Sequence, residues 1–280
     1  MADIMNRAKQ QIDRFQGPID GMLWMFDFPG CLMGPLFCAE LNLKAPSPAS
    51  VFQCENKYLS RRLQQDAVPE CVPDFRGFNP ADPDVVEKVQ LEYPFWIKPV
   101  IGFSGHLGYE VTSDRDFQDK LERIEEKIDL FAKPYRYLEQ QIDLPGDAQD
   151  AKETIFLAEQ IISGKQCTLE GCVYEGQFGF HGIIDSFRYP NRMSFSRYQY
   201  PSVMPQKVQR MMKQKAEKVL RRAGYDNGAF NIEFFWDRSR RKLWLLEINT
   251  RISQSHCELF DKVDGQLSHR IPLDIMLDNK

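Results

Sequence analysis

Two apolar runs toward the C-terminal end, residues 229–236 and 243–249, flank the turn sequence Asp-Arg-Ser-Arg-Arg and read as a hairpin. Side chains alternate faces along a strand, so Asn231, Glu233 and Phe235 share one face while Ile232 and Phe234 take the other. On the second strand Leu245, Glu247, Asn249 and Arg251 share a face, with Leu246 and Ile248 opposite. A turn centred near residue 240 sets Glu233 opposite Glu247 and Asn231 opposite Asn249. Few folds tolerate that arrangement unaided, because like charges facing each other across a ladder are destabilising. A hard divalent cation with oxygen ligands would compensate them, and Mg2+ typically takes a few carboxylates together with substrate phosphates. A hairpin face turned to water is the plainer alternative. Against it, Glu233 sits between Ile232 and Phe234 in an otherwise apolar strand.

A second feature lies upstream, where Lys98-Pro99 is followed by a loop carrying Gly102, Ser104, Gly105 and Gly108. A lysine at a strand end beside glycines that let backbone amides approach is a candidate phosphate cradle; a plain turn is the alternative. The loop is neither of the two common glycine signatures: G-x-x-x-x-G-K-[ST] and G-x-G-x-x-G are both absent. Nor is it a nucleophile elbow, which would need glycine where His106 stands.

Composition narrows the class around these features. The 280 residues are 42% apolar and 12% aromatic, a globular rather than disordered make-up. Lys and Arg number 36 against 40 Asp and Glu, a net charge of −4 that argues against a general nucleic-acid binder. The seven cysteines form no C-x-x-C pair, so zinc-ribbon and thioredoxin-like readings have no support. The apolar stretch 21–43 is interrupted by Asp27, Pro29, Pro35 and Glu40, so no membrane span is expected; the polar start is not a signal peptide. A reducing cytoplasm is the expected compartment.

The element pattern alternates. Residues 3–15 read as a helix, 21–26 as a buried strand and 31–41 as a helix. Residues 56–65 read as a helix with its basic side chains exposed. Residues 66–92, rich in Pro and Asp, read as a connection. Strands follow at 95–99 and 109–112, then a helix from the Ser113 cap to 131 and a polar loop at 143–152. Strands are expected at 155–162, 166–174 and 178–187, a long aromatic and arginine-rich loop at 188–204, and a helix at 206–223 before the hairpin. Within this pattern His181 reads as a packed strand histidine, while His256, close to the hairpin, reads equally as packed or as substrate-facing. Arg188, Arg192 and Arg197 either recognise an anionic substrate or sit in a solvated loop.

The order of the parts carries a resemblance. Lys98-Pro99 and the glycine loop precede Phe156-Leu-Ala-Glu159-Gln-Ile-Ile162-Ser-Gly164, then Asn231-Ile-Glu233 and Leu246-Glu247-Ile-Asn249-Thr-Arg251. This resembles the ATP-grasp superfamily of nucleotide-dependent ligases, which includes biotin carboxylase, D-alanine–D-alanine ligase and carbamoyl phosphate synthase; residues 246–256 are most similar to biotin carboxylase. The resemblance implies an α+β fold with two α+β subdomains clasping ATP, at 67–153 with the lid loop and 154–280 with the metal site. A shortened Rossmann-like α/β segment would precede them at 1–66. It implies that Lys57 and Lys98 contact the phosphates, and that Ser104, Gly105 and Gly108 belong to the closing loop. It implies further that Glu159 accepts from the adenine amino group and that the Ile162 backbone bonds the ring edge. The family's acidic ribose contact falls on Gln166. Glu233, Glu247 and Asn249 would hold Mg2+, normally two ions with Mn2+ as a substitute, and Arg251 would stabilise charge on a phosphorylated intermediate.

The implied activity is an ADP-forming ligase that joins a carboxylate to an amine or thiol through an acyl phosphate. The alternatives are a non-catalytic or regulatory ATP-binding subunit and an ATP-grasp carboxylase or kinase. The implied partners are a small carboxylate and an amine, not nucleic acid or membrane. A homodimer mate or another chain would cover the open edge of the 21–26 strand.

Overall fold

The computed structural model describes residues 1–102, 107–149, 154–190 and 194–278. Four helices come first: α1 Ala2–Arg14, α2 Gly30–Glu40, α3 Pro48–Glu55 and α4 Lys57–Ala67. Strand β1 (Phe75–Phe78) and helix α5 (Val85–Lys88) lead to β2 (Phe95–Pro99) and β3 (Tyr109–Val111). Helices α6 (Asp114–Glu125), α7 (Asp129–Glu139) and α8 (Gly146–Gln149) precede β4 (Phe156–Gln160), β5 (Lys165–Tyr174), β6 (Gln177–Arg188) and β7 (Phe195–Gln199). Helix α9 (Gln206–Arg222), strands β8 (Gly228–Asp237) and β9 (Lys242–Asn249), and helices α10 (Cys257–Asp264) and α11 (Arg270–Met276) complete the order.

The strands form two antiparallel sheets, one ordered β1-β4-β2-β3 and the other β7-β6-β5-β8-β9. Each has its own reason to fold. In the first, Phe78, Phe95 and Phe156 meet Phe117 of α6, whose ring stands edge-on to Phe78 and Phe95 at 5.7 and 5.5 Å between centroids. In the second, Phe230, Ile232 and Phe234 of β8 and Cys167 and Leu169 of β5 bury one face of the sheet. Helix α9 covers that core with Val208, Met212, Ala216, Val219 and Leu220, a stripe at helical spacing. The alternate residues of β5 and β8 therefore point to the other face, where polar side chains collect.

Several expected elements differ. Residues 21–26 form no strand; among the described residues none precedes Phe75. The run is apolar but not sandwiched, with Leu23 and Phe26 left 40% and 71% exposed. Trp24 instead packs against Gly34 of α2, and its indole Nε1 donates to the Thr250 carbonyl at 3.2 Å. An apolar run has no period that separates a strand from a docked extended segment. Helices and this strap occupy residues 1–67, where a strand was expected at 21–26. Residues 66–92 contain β1, paired with β4, and not only a connection. The helix expected to 131 ends at Glu125, and α7 begins at Asp129. Its start is as expected: Ser113 Oγ accepts from the Asp116 amide at 3.2 Å, while Asp116 reaches back to the Thr112 amide at 2.8 Å. The 188–204 loop contains β7, which extends the second sheet through β6. Among the described residues no helix is long and apolar enough to cross a membrane.

Candidate active site

Asn56 caps α4, its side-chain oxygen accepting from the amides of Tyr58 and Leu59 at 3.0 Å each. The cap makes Lys57 the first helical residue and places Arg61 one turn later on the same face. This face spans the two sheets. Lys57 Nζ lies 2.8 Å from Glu247 Oε1 on β9 and donates to the Gly102 carbonyl at 2.9 Å. Arg61, 1% exposed, donates from Nε to Glu159 Oε2 on β4 at 2.9 Å and from Nη1 to the Leu245 carbonyl on β9 at 2.8 Å. Lys98, from β2, takes the other oxygen of Glu159 at 2.5 Å. A narrow cleft lined by Lys57, Arg61, Lys98, Leu157, Leu246 and Glu247 separates the sheets.

The hairpin carries the opposed carboxylates. Glu233 pairs with Glu247 and Asn231 with Asn249, the expected register. Nearer the turn the register is one residue different, with Phe234 opposite Leu245 and Trp236 opposite Leu243. A bulge between Glu233 and Phe234 absorbs the difference, making Leu246 the extra residue. Leu245 consequently lies in the core beside Phe234, and not on the face it was expected to share with Glu247.

The charges act on one another strongly. Burial and the neighbouring Glu247 charge push the Glu233 carboxyl up. Burial pushes Glu247 the same way, but the Lys57 and Lys98 charges overcome it and hold that carboxyl down. Glu159 is also opposed by burial, and Arg61 and Lys98 hold it at about 2. Burial, aided by Arg61 and Lys57, lowers the Lys98 ammonium despite Glu159.

The remaining expected residues are placed as follows. Gln166 is buried with both amide ends engaged: Nε2 donates to Glu233 Oε2 at 2.7 Å, and Oε1 accepts from Arg188 Nε at 3.0 Å. Arg251 donates from Nε to Asp27 Oδ1 at 2.5 Å and points Nη2 at Asn249 Oδ1, 3.5 Å away. Ile162 lies in the turn after β4, and Gly108 immediately before β3. Ser104 and Gly105 lie outside the described residues. His181, half-buried, packs on the Phe260 ring at 4.1 Å, and the buried His256 meets Glu170 Oε1 through Nδ1 at 2.6 Å.

Two residues escaped the sequence reading. Arg61 lies on a helix whose basic residues were expected to face water; the signal was its spacing of one turn from Lys57. Asp27, in the docked N-terminal strap, carries no local signal, because its partner is 224 residues away.

A family model described as an ATP-grasp domain matches residues 91–258. The chain belongs to the ATP-grasp family. No curated protein matches it in sequence. Among solved structures, an L-amino acid ligase from Bacillus licheniformis is similar with a TM-score of 0.76 at 19% identity, over 98% of this chain and 61% of that one. An N5-carboxyaminoimidazole synthetase from Staphylococcus aureus gives 0.71 at 16% identity, over 98% and 64%. Biotin carboxylase from Campylobacter jejuni gives 0.61 at 21% identity, over 87% and 51%. This ATP-grasp chain thus spans between 51% and 64% of the length of these structures, and the likeness is one of fold.

ATP-grasp enzymes in general use ATP with Mg2+, and the donor set here fits such an ion. Among the described residues no group of three or more His, Cys, Asp or Glu side chains is poised around a metal. The site offers two carboxylates and one carboxamide, Glu233, Glu247 and Asn249, all oxygen donors. Mg2+ suits a site of this kind because it keeps several waters and completes its shell with phosphate oxygens. Burial first, and the facing Glu247 charge second, raise the Glu233 carboxyl, and a cation held between the two carboxylates would offset both costs.

Proposed function

We propose that this ATP-grasp chain is an ATP-dependent ligase that joins a carboxylate to an amine through an acyl phosphate. The observation that carries the reading is the direct opposition of Glu233 and Glu247, the second of which lines a cleft together with Lys57 and Lys98. ATP would lie between the sheets, with Mg2+ on Glu233, Glu247 and Asn249 supplying charge neutralisation to the phosphates. Lys57 and Lys98 would exchange their carboxylate partners for phosphate oxygens, which frees Glu247 and Glu159 to face the ligand. The substrate carboxylate attacks the γ-phosphate and ADP leaves; the amine then attacks the acyl phosphate carbonyl and inorganic phosphate leaves. Bringing these anions together is the main obstacle, so the lysines and Arg251 contribute chiefly electrostatic stabilisation. Glu159 would face the adenine amino group, the Ile162 backbone the ring edge, and the loop with Ser104, Gly105 and Gly108 would exclude water. The names of the similar structures support carbon–nitrogen ligation as the reaction class.

A second reading, a nucleotide-binding subunit without turnover of its own, is favoured by Gln166, which is committed to Glu233 and Arg188 and not held out for a ribose. One assay separates the two. ADP and phosphate release is measured with Mg·ATP and pooled carboxylic acids and amines. Release that requires one acid and one amine supports the ligase. Nucleotide binding without release under every combination overturns it in favour of the subunit.

A further inference from the structure

We propose that Glu170 and Asn231 are positioning residues that orient the Asn249 carboxamide, and with it set the cation affinity of the site, through a directed chain of hydrogen bonds. The proposal rests on the reading of Glu233, Glu247 and Asn249 as cation ligands. Glu170 of β5, Asn231 of β8 and Asn249 of β9 occupy one row across three adjacent strands. All three are buried, so each polar end must find a partner inside the protein.

The chain has a direction because its first member has only one kind of group to offer. A carboxylate accepts and never donates. Asn231 therefore turns its amide nitrogen to Glu170, with Nδ2 donating to Oε1 at 3.0 Å. That leaves Asn231 Oδ1 facing the next strand, where only a donor can answer it. Asn249 answers with Nδ2 at 3.2 Å. Its Oδ1 is thereby left on the far side, toward Arg251 Nη2. A carboxamide turned the other way would present hydrogens to a cation and repel it. Thus a buried charge two residues removed decides whether Asn249 contributes an oxygen. His256 anchors the chain: its Nδ1 lies 2.6 Å from the same Glu170 oxygen, and the Tyr198 ring packs edge-on against the imidazole at 4.6 Å between centroids.

The test measures Mn2+ binding in the presence of ADP, from the free-ion resonance signal, alongside ADP binding in EDTA. Asn231→Leu removes the middle link while leaving Glu233, Glu247 and Asn249 in place. The expected result is a Kd for Mn2+ raised about 10–100-fold, the usual cost of losing a residue that orients a ligand, with metal-free ADP affinity unchanged. Asn231→Asp alone sets a second carboxylate against Glu170 and is also expected to bind Mn2+ weakly. Combining it with Glu170→Gln exchanges donor and acceptor in the first link. The amide at 170 then donates to the carboxylate at 231, which still accepts from Asn249, so Mn2+ affinity is expected to return toward that of the unmodified protein. A purely structural role for the row predicts no such rescue.

Wild-type Mn2+ affinity in Asn231→Leu, or a double variant no better than Asn231→Asp, overturns the proposal. Should Asn231→Leu fail to fold, the charge-conserving double variant decides the matter by the same comparison. Glu247→Ala serves as the control. If it binds Mn2+ as the unmodified protein does, the ligand reading fails and this proposal with it. If it loses Mn2+ while Asn231→Leu does not, only the positioning role fails.

Discussion

Arg61 joins Glu159, Gln64 and the Leu245 carbonyl with one buried guanidinium, so its truncation leaves a buried carboxylate short of a partner. Arg61→Leu is expected to cost about 3–5 kcal/mol, the range for breaking a buried ion pair, nearer the lower end because Lys98 stays on Glu159. Urea unfolding checks it, and a loss within error of zero would show that the pair is not coupled to folding. Glu159 also gives a pH dependence. Its folded carboxyl is held at about 2, below its ordinary range, so the stabilisation is present above that range. It is lost as the pH falls toward about 2, because the unfolded chain takes up the proton first. Glu159→Gln should flatten this acid limb of stability against pH. An equally steep limb would assign it to other carboxylates. Neither contact was legible in the sequence. A charged residue on a short helix is exposed by default, and Glu159 lies 98 residues from Arg61.

At the scale of elements, the hairpin shows what alternation can and cannot say. The side-chain period placed Glu233 and Asn231 correctly, since Phe230, Ile232 and Phe234 must all enter the core. The bulge at Leu246 was hidden, because an extra residue breaks the period only where the turn has already chosen a different register. The segment 21–26 failed for the opposite reason, having hydrophobicity without a period. A further element-scale prediction concerns Gly164, in the turn that carries the chain from the first sheet to the second. Its φ is +141°, and a Cβ there would lie 2.6 Å from the carbonyl carbon of Trp236. Gly164→Ala is therefore expected to destabilise by about 1–3 kcal/mol through overpacking against backbone that has little room to yield. Thermal melting with unchanged stability would mean that the turn relaxes freely.

Across the whole molecule, α4 links the two sheets: Lys57 and Arg61 reach β9, Arg61 reaches Glu159 of β4, and the Lys57 amide donates to the Val100 carbonyl at 2.7 Å. A ligand bridging the same cleft adds to these contacts. Mg·ATP at about 100 times its Kd should contribute about 2.7 kcal/mol, a rise in Tm on the order of 5 °C. Glu247→Ala should abolish most of that rise, and an undiminished rise would remove Glu247 from the metal site. By itself the sequence determined the face that Asn231 and Glu233 share and the order in which the motifs occur, because side-chain periodicity and turn chemistry act within a few residues. That sufficed for the family and for the opposed Glu233 and Glu247. The tertiary structure alone decided which charged and polar groups meet. Arg61 is buried on Glu159 and Arg251 is held by Asp27, while the neutral Gln166 amide bridges Glu233 and Arg188. Each of these depends on strands and helices from distant parts of the chain meeting in space, and the cost of burying an unpaired charge selects the partner only once they have met.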